Sequence, residues 1–186
     1  LSRLIQLASE RNGESVVVTF HPHPRKALYP DDNDLQLLQT LDEKIERLAA
    51  LGVSKLLVIP FTLQFSRLTA EQFVDQIVLQ TIKAEKVCIG YDHRFGRNRT
   101  GGFKEMERIA QNHSFEVEEI PAYQIDAANV SSTKIRNALL EGNIELANRY
   151  LEYEYPLTGT VIEGDRLGAT IGFPTANLKP LDPDKL

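Results

Sequence analysis

The chain has 186 residues, a formal net charge of −5 at pH 7, 42% hydrophobic residues and 25% charged residues. At roughly 150 residues per domain this is about 1.2 domains, and the balance excludes collagen-like, disordered and disulfide-scaffold classes. An acidic chain is poorly suited to sequence-independent nucleic-acid binding, no apolar run reaches the ~20 residues of a membrane helix, and the single cysteine, Cys88, excludes internal disulfides and zinc clusters. That cysteine count fits a reducing, cytoplasmic compartment. The chain opens at Leu1 inside a helical pattern and stops in a Pro- and Asp-rich stretch, so further segments are expected on both sides.

Residues 1–12 place Leu1, Leu4, Ile5 and Ala8 on one helical face, with Gly13 as the expected C-cap. SVVVTF (15–20) reads as a buried strand and HPHP (21–24) as a stiff turn. Thr40 and Glu43 form a capping-box pattern before a helix that Gly52 ends. SKLLVIP (54–60) is a second buried strand. Thr69 and Gln72 repeat the capping pattern before Phe73, Ile77 and Ile82. KVCIG (86–90) is a third strand, followed by a Gly- and Arg-rich loop (91–102) and a helix near 103–112. FEVEEI (115–120) is a fourth strand, and helices are expected near 132–141 and 144–152. Alternating strands and helices predict an α/β domain with a doubly wound parallel sheet, whose ligands bind beyond the strand carboxyl ends. After Tyr155 the glycines and prolines multiply and the helical period disappears. Residues 156–186 therefore read as the start of a separate β domain, with the boundary at Pro156.

Three loops fall on the expected binding edge. In the first, Phe20 offers a flat apolar surface, and His21 and His23 can donate to an anion; a rigid structural turn or a metal pair are the competing readings. The second, Gly90–Gly101, holds Asp92, Phe95 and the phosphate-neutralising candidates Arg94, Arg97 and Arg99; the alternative is a solvated basic loop. In the third, Ser131, Ser132 and Thr133 open a helix whose N-terminal N–H groups and dipole favour an anion. Arg136 projects from the same helical face as Ser132, although an ordinary N-cap would explain the serines alone. In the C-terminal part, Thr175 and Asn177 lie two apart in an expected strand and so share a side, where their oxygens suit Mg²⁺ held against phosphates. The alternative there is a β-turn with a polar exit. No Walker A or G-x-G-x-x-G pattern occurs, so a nucleotide site must be built another way.

The ordered set TFHPHP (19–24), GYDHRFG (90–96), VSSTKIR (130–136) and GTVIEGDRLGATIGFPTANL (159–178) resembles the bacterial bifunctional riboflavin kinase/FAD synthetase family along nearly the whole chain. The resemblance implies a Rossmann-like nucleotidyltransferase domain over 1–155 that adenylylates FMN, followed over 156–186 by the beginning of a riboflavin kinase β-barrel. It implies ATP, riboflavin, FMN and FAD as small-molecule substrates and products, with Mg²⁺, and neither nucleic acid nor membrane as partner. Ser131, Ser132, Thr133 and Arg136 would hold ATP phosphates, with Ser132, Thr133 and Arg136 closest to the chemistry. Phe20, His21 and His23 would line the flavin phosphate side, and Asp92, Arg94 and Phe95 would shape the flavin and adenine walls. In the kinase part Gly159, Gly164, Gly168 and Gly172, with Pro174, would form the phosphate loop, and Thr175 and Asn177 would hold Mg²⁺–ATP. The family's H-x-G-H element would precede Leu1, and the kinase's catalytic acidic residue would follow Leu186. Ala169 stands where the family often has a basic residue, which bears on one kinase phosphate contact. His93 stands where an aromatic is usual, which bears on how the flavin edge is packed. Another adenylyltransferase of the same class and a non-catalytic flavin- or nucleotide-binding module are the rival readings.

Overall fold

A computed structural model spans Leu1–Leu186 and describes all residues except 32–34, 123, 126, 127, 165 and 166, together with all side chains outside those positions except 124, 125, 128, 129 and 169. The chain forms two compact units: residues 1–33 with 41–129, and residues 34–40 with 130–186.

In the first unit α1 (Ser2–Glu10) leads to β1 (Val16–His21), α2 (Pro24–Leu28), α3 (Leu41–Ala50) and β2 (Lys55–Pro60). A 3-10 turn (Phe65–Arg67) precedes α4 (Ala70–Phe73), which widens into i→i+5 turns over Val74–Ile82. Then come β3 (Lys86–Gly90), α5 (Phe103–Ala110), β4 (Glu116–Ile120) and the short antiparallel pair β5 (Gln124–Ile125) and β6 (Ala128–Asn129). β1 pairs with β2 in parallel, Val16 opposite Lys55 through His21 opposite Pro60. β3 pairs with β4 in parallel, Lys86 opposite Glu116 through Gly90 opposite Ile120.

The structure is mixed α/β with parallel strands. Among the described residues, however, the four long strands form two separate pairs and not one continuous sheet. The expectation that SVVVTF is a buried strand is also corrected in part: Ser15 is buried. Residues 16–20 are only part-buried, and among the described residues β1 has a strand neighbour on one edge alone. The main apolar core lies instead between the helices and β3: Ala70, Val74, Val78, Ile89, Phe95, Met106, Ile109 and Phe115.

The four long strands fall within a residue of their expected positions, because β-branched runs bounded by turn residues leave little choice. Thr69 forms the expected capping box: Gln72 N–H donates to its Oγ1, and the Gln72 side chain accepts from Thr69 N–H. Gly52 takes φ +86° and ends α3, as its freedom from a Cβ allows. Gly13 does not take that part in α1; Asn12 adopts the left-handed conformation (φ +52°), and Gly13 N–H donates to Ala8 O at 2.8 Å. On α1 the buried residue is Leu7, not the expected Leu1, which is exposed.

Ion pairs fasten α1 to β4. Arg3 meets Glu118 at 2.6 Å and Arg11 meets Glu116 at 2.7 Å, while Lys86 of β3 reaches Glu118 at 2.7 Å. Hydrogen bonds from Arg3 and then Lys86 hold the Glu118 carboxyl down at about 2.

In the second unit α6 (Ser132–Leu140) packs on α7 (Ile144–Leu151). Residues 35–40 are stitched to this unit. Leu37 bridges Lys185, Lys185 Nζ donates to Leu38 O at 2.7 Å, and the Gln39 amide donates to the Tyr153 hydroxyl at 2.8 Å. β7 (Gly159–Ile162) pairs antiparallel with β8 (Asn177–Pro180), and the one-turn α8 (Leu167–Thr170) lies between them. The compact units thus divide at Asn129/Val130, and α6 and α7 group with residues 157–186.

The depressed Glu118 carboxyl fixes the sign of a pH effect. A carboxylate favoured in the folded state stabilises above its unfolded pKa, near 4.5, and loses that contribution as pH falls towards about 2. Glu118→Gln is expected to lower the melting temperature at pH 7 and to match the parent near pH 2; equal melting temperatures at pH 7 would show that the pair contributes nothing.

Candidate functional site

β1 delivers the first loop. Strand alternation puts Thr19 and His21 on one face and Val18 and Phe20 on the other. Pro24 begins α2, where its missing N–H is no loss, and His23 is the N-cap. His23 Nδ1 accepts from Arg25 N–H at 3.2 Å, so a neutral His23 carries its proton on Nε2. His21 and His23 are both exposed.

β3 delivers the second loop. Phe95 and Gly101 exchange two backbone hydrogen bonds, at 3.1 and 2.9 Å, which close residues 95–101 into a ring. Phe95 is only 7% exposed and belongs to the core, so its side chain anchors the loop from below. Its expected part in the flavin and adenine walls would thus be played from a position packed into the core. Asp92 and Arg94 remain exposed, and Arg94 donates to the neighbouring His93 carbonyl at 3.2 Å. The guanidinium groups of Arg94, Arg97 and Arg99 meet no carboxylate among the described residues. His93 stacks on Phe95 with ring centres 6.4 Å apart, and partial desolvation lowers its pKa although its outer edge stays open to solvent.

The two loops are joined by an aromatic chain that sequence reasoning missed. Phe20 contacts Phe61 at 5.4 Å and Phe65 at 5.5 Å, Phe65 contacts Phe73 at 6.2 Å, and Phe73 contacts Phe95 at 5.6 Å. Phe61 follows β2, Phe65 sits in the 3-10 turn and Phe73 ends α4. The signal available in the sequence was the spacing of aromatics in PFTLQFSRLTAEQF (60–73).

In the second unit the Ser131–Arg136 turn is a helix start. Ser131 is the N-cap of the nine-residue α6, and its Oγ accepts from Lys134 N–H at 3.3 Å. Ser131, Ser132 and Thr133 are exposed. Arg136 is part-exposed, and its Nε donates to the Gln36 carbonyl at 2.8 Å, which orients the guanidinium.

The glycine-rich segment builds a tight cradle. A Cβ on Gly164 would run into the Asn177 side chain, and one on Gly168 would run into the Phe173 carbonyl and approach Thr175 Oγ1 at 3.2 Å. Gly159 is equally closed by Lys179 O at 2.6 Å. Gly172 takes φ +81° in the turn before Phe173 and Pro174. Asn177 opens β8, but Thr175 lies in the irregular lead-in, so the two do not sit in one strand as expected. Asp165, Arg166 and the Ala169 side chain lie outside the described residues. Among the described residues no group of three or more His, Cys, Asp or Glu side chains could hold a metal ion. No helix among them is long and apolar enough to cross a membrane.

Comparison with known proteins places this geometry in a class. The family model described as FAD synthetase matches residues 1–134, and that described as riboflavin kinase matches residues 151–186. The chain belongs to the FAD synthetase family. Among its curated relatives is the bifunctional riboflavin kinase/FMN adenylyltransferase of Listeria monocytogenes, 38% identical over 174 residues, covering 94% of this chain and 55% of the relative. The protein of the same name from Escherichia coli K12 is 33% identical over 178 residues, covering 96% of this chain and 56% of the relative. The chain thus spans little more than half the length of these relatives. A crystal structure described as a macrolide-efflux protein from Streptococcus pneumoniae superposes with a TM-score of 0.85 at 32% identity, over 95% of this chain and 57% of that one.

The loop geometry separates two glycines. Gly96 has φ +72°, and its Cβ would lie 2.7 Å from Ala70 N, whereas Gly52 has φ +86° with nothing within 4 Å. Gly96→Ala is expected to cost about 3 kcal/mol and Gly52→Ala about 1 kcal/mol in chemical denaturation. Equal costs would show that the loop yields to the Cβ.

Proposed function

We propose that the protein to which this chain belongs makes flavin cofactors: it phosphorylates riboflavin with ATP to give FMN and ADP, and adenylylates FMN with ATP to give FAD and pyrophosphate. The observation that carries this reading is the succession of two family matches on one chain, FAD synthetase and then riboflavin kinase, the pairing that the curated relatives carry in their names. A single-activity adenylyltransferase has no use for the second match.

In adenylyl transfer an FMN phosphate oxygen attacks the α-phosphorus of ATP, and the bond from that phosphorus to the pyrophosphate breaks. No protein nucleophile is needed, so the protein acts by positioning two polyanions and offsetting charge as pyrophosphate leaves. We assign the ATP phosphates to Ser131, Ser132, Thr133 and Arg136. Supporting this are the exposed N-terminal turn of α6 and the oriented Arg136 guanidinium. The flavin phosphate side is assigned to Phe20, His21 and His23, and the flavin and adenine walls to Asp92, Arg94 and the loop that Phe95 anchors. In the kinase part Gly159, Gly164, Gly168, Gly172 and Pro174 form the phosphate loop. Thr175 and Asn177 offer neutral oxygens beside glycines too crowded for a Cβ, a donor set that fits Mg²⁺ already carrying ATP charge. The metal would offset phosphate charge during transfer.

The fold reading that goes with this is a doubly wound, Rossmann-like nucleotidyltransferase domain to about residue 155, with the start of a β-barrel after it. One further parallel strand between β1 and β3 would unite the two pairs in such a sheet. A cytoplasmic setting accords with the lone Cys88.

FMN, ATP and Mg²⁺ incubated with the protein should yield FAD and pyrophosphate in equal amounts; unchanged FMN would refute the adenylyltransferase reading. Arg136→Ala should cut FAD formation by about 100-fold or more, the scale of a lost charge-stabilising donor, with little change in melting temperature. Asn177→Ala should abolish FMN formation from riboflavin and leave FAD formation from supplied FMN intact. Loss of both activities in a folded Asn177 variant would contradict separate sites.

A further inference from the structure

Lys44 lies in the first half of α3 and is half-buried. Its Nζ donates to Thr19 Oγ1 at 3.0 Å, and no carboxylate among the described residues pairs with it. Arg94, Arg97 and Arg99 of the second loop likewise meet no carboxylate among the described residues, but five other cations of this unit do. Arg3, Arg11, Lys55, Lys86 and Arg108 each meet a glutamate. Glu43 is next in sequence, but adjacent helical positions do not face each other.

An ammonium drawn halfway out of water needs compensation. A neutral hydroxyl accepts one of its three possible hydrogen bonds and supplies no opposite charge. Desolvation accordingly lowers the Lys44 pKa. The flexible lysine stem could carry its charge out to solvent at little cost, yet the side chain is directed onto β1. Packing alone would be served as well by a methionine of similar length.

The placement says which anion would complete the site. Thr19 and His21 share a face of β1 by strand alternation, and His21 is the last residue of the strand. The Lys44 charge is therefore held at the carboxyl end of β1, two residues from the turn His21–Pro24. We propose that Lys44 is a phosphate-contacting residue, held ready by Thr19, and that its ligand is the terminal phosphate monoester of a flavin nucleotide. This deepens the reading given above, on which it rests, that residues 19–24 line the flavin phosphate. A phosphate monoester brings close to two negative charges at neutral pH, to which a lone ammonium offers a charge-assisted hydrogen bond.

The test compares two ligands that differ only in that phosphate. FMN and riboflavin are titrated by flavin fluorescence into the parent protein and into Lys44→Met, Lys44→Arg and Thr19→Val. The parent should bind FMN more tightly than riboflavin. Lys44→Met should weaken FMN by about 10-fold, the worth of one charge-assisted contact, while moving riboflavin less than about two-fold. Lys44→Arg should recover most of the loss, and Thr19→Val should fall between. Equal weakening of both flavins by Lys44→Met would show a structural role and overturn the proposal. So would an unchanged FMN-to-riboflavin ratio, which leaves the flavin-site reading standing. A parent protein that binds neither flavin refutes that reading and this proposal together. Should Lys44→Met fail to fold by circular dichroism, the Thr19→Val ratio decides in the same way.

Discussion

A run of phenylalanine rings holds the first unit in its working form. Phe20 leaves the end of β1, Phe61 and Phe65 follow β2, Phe73 closes α4, and Phe95 plugs the loop after β3. Hydrogen bonds do not join the two parallel strand pairs to one another among the described residues, so the rings carry a connection that a continuous ladder would otherwise make. Each well-placed aromatic contact is worth about 1 kcal/mol beyond the area it buries. Three such contacts in series, Phe20 to Phe65, Phe65 to Phe73 and Phe73 to Phe95, tie the first loop to the second.

Burial then divides the labour within each loop. Phe95 is withdrawn into the core, and its neighbours Asp92, His93 and Arg94 are thereby held at the surface in defined positions. Gly96 and Gly101 are small because the Ala70 backbone and the Phe95 ring leave no room beside them. Among the described residues the arginines of this loop meet no carboxylate, on a chain of net negative charge. On the proposed reading this uncompensated charge serves a polyanionic substrate, and Lys44 follows the same logic at the end of β1.

Local chemistry made much of this legible in advance. The strand at 86–90, the capping box at Thr69, the stop at Gly52 and the helix opening at Ser131 each follow from short-range rules about β-branching, side-chain caps and left-handed backbone. What stayed hidden depends on distant partners. The part-exposed state of Val16–Val18 goes with β1 having one strand partner, β2, among the described residues, which periodicity within the strand does not report. The burial of Phe95 and its links through Phe65 and Phe73 are tertiary facts. The Lys44–Thr19 hydrogen bond spans 25 positions, and a lysine in the first turns of an amphipathic helix reads as an ordinary surface residue. The grouping of α6 and α7 with residues 157–186 likewise depends on contacts made by residues 35–40, which no composition shift marks.

Chemical-shift mapping of isotope-labelled protein titrated with FMN tests most directly whether the aromatic chain assembles one flavin site from two loops. The account requires amides of Thr19–His23 and of Gly90–Phe95 to shift together, along one saturation curve. Shifts confined to a single loop, or two loops that saturate at different FMN concentrations, would contradict it.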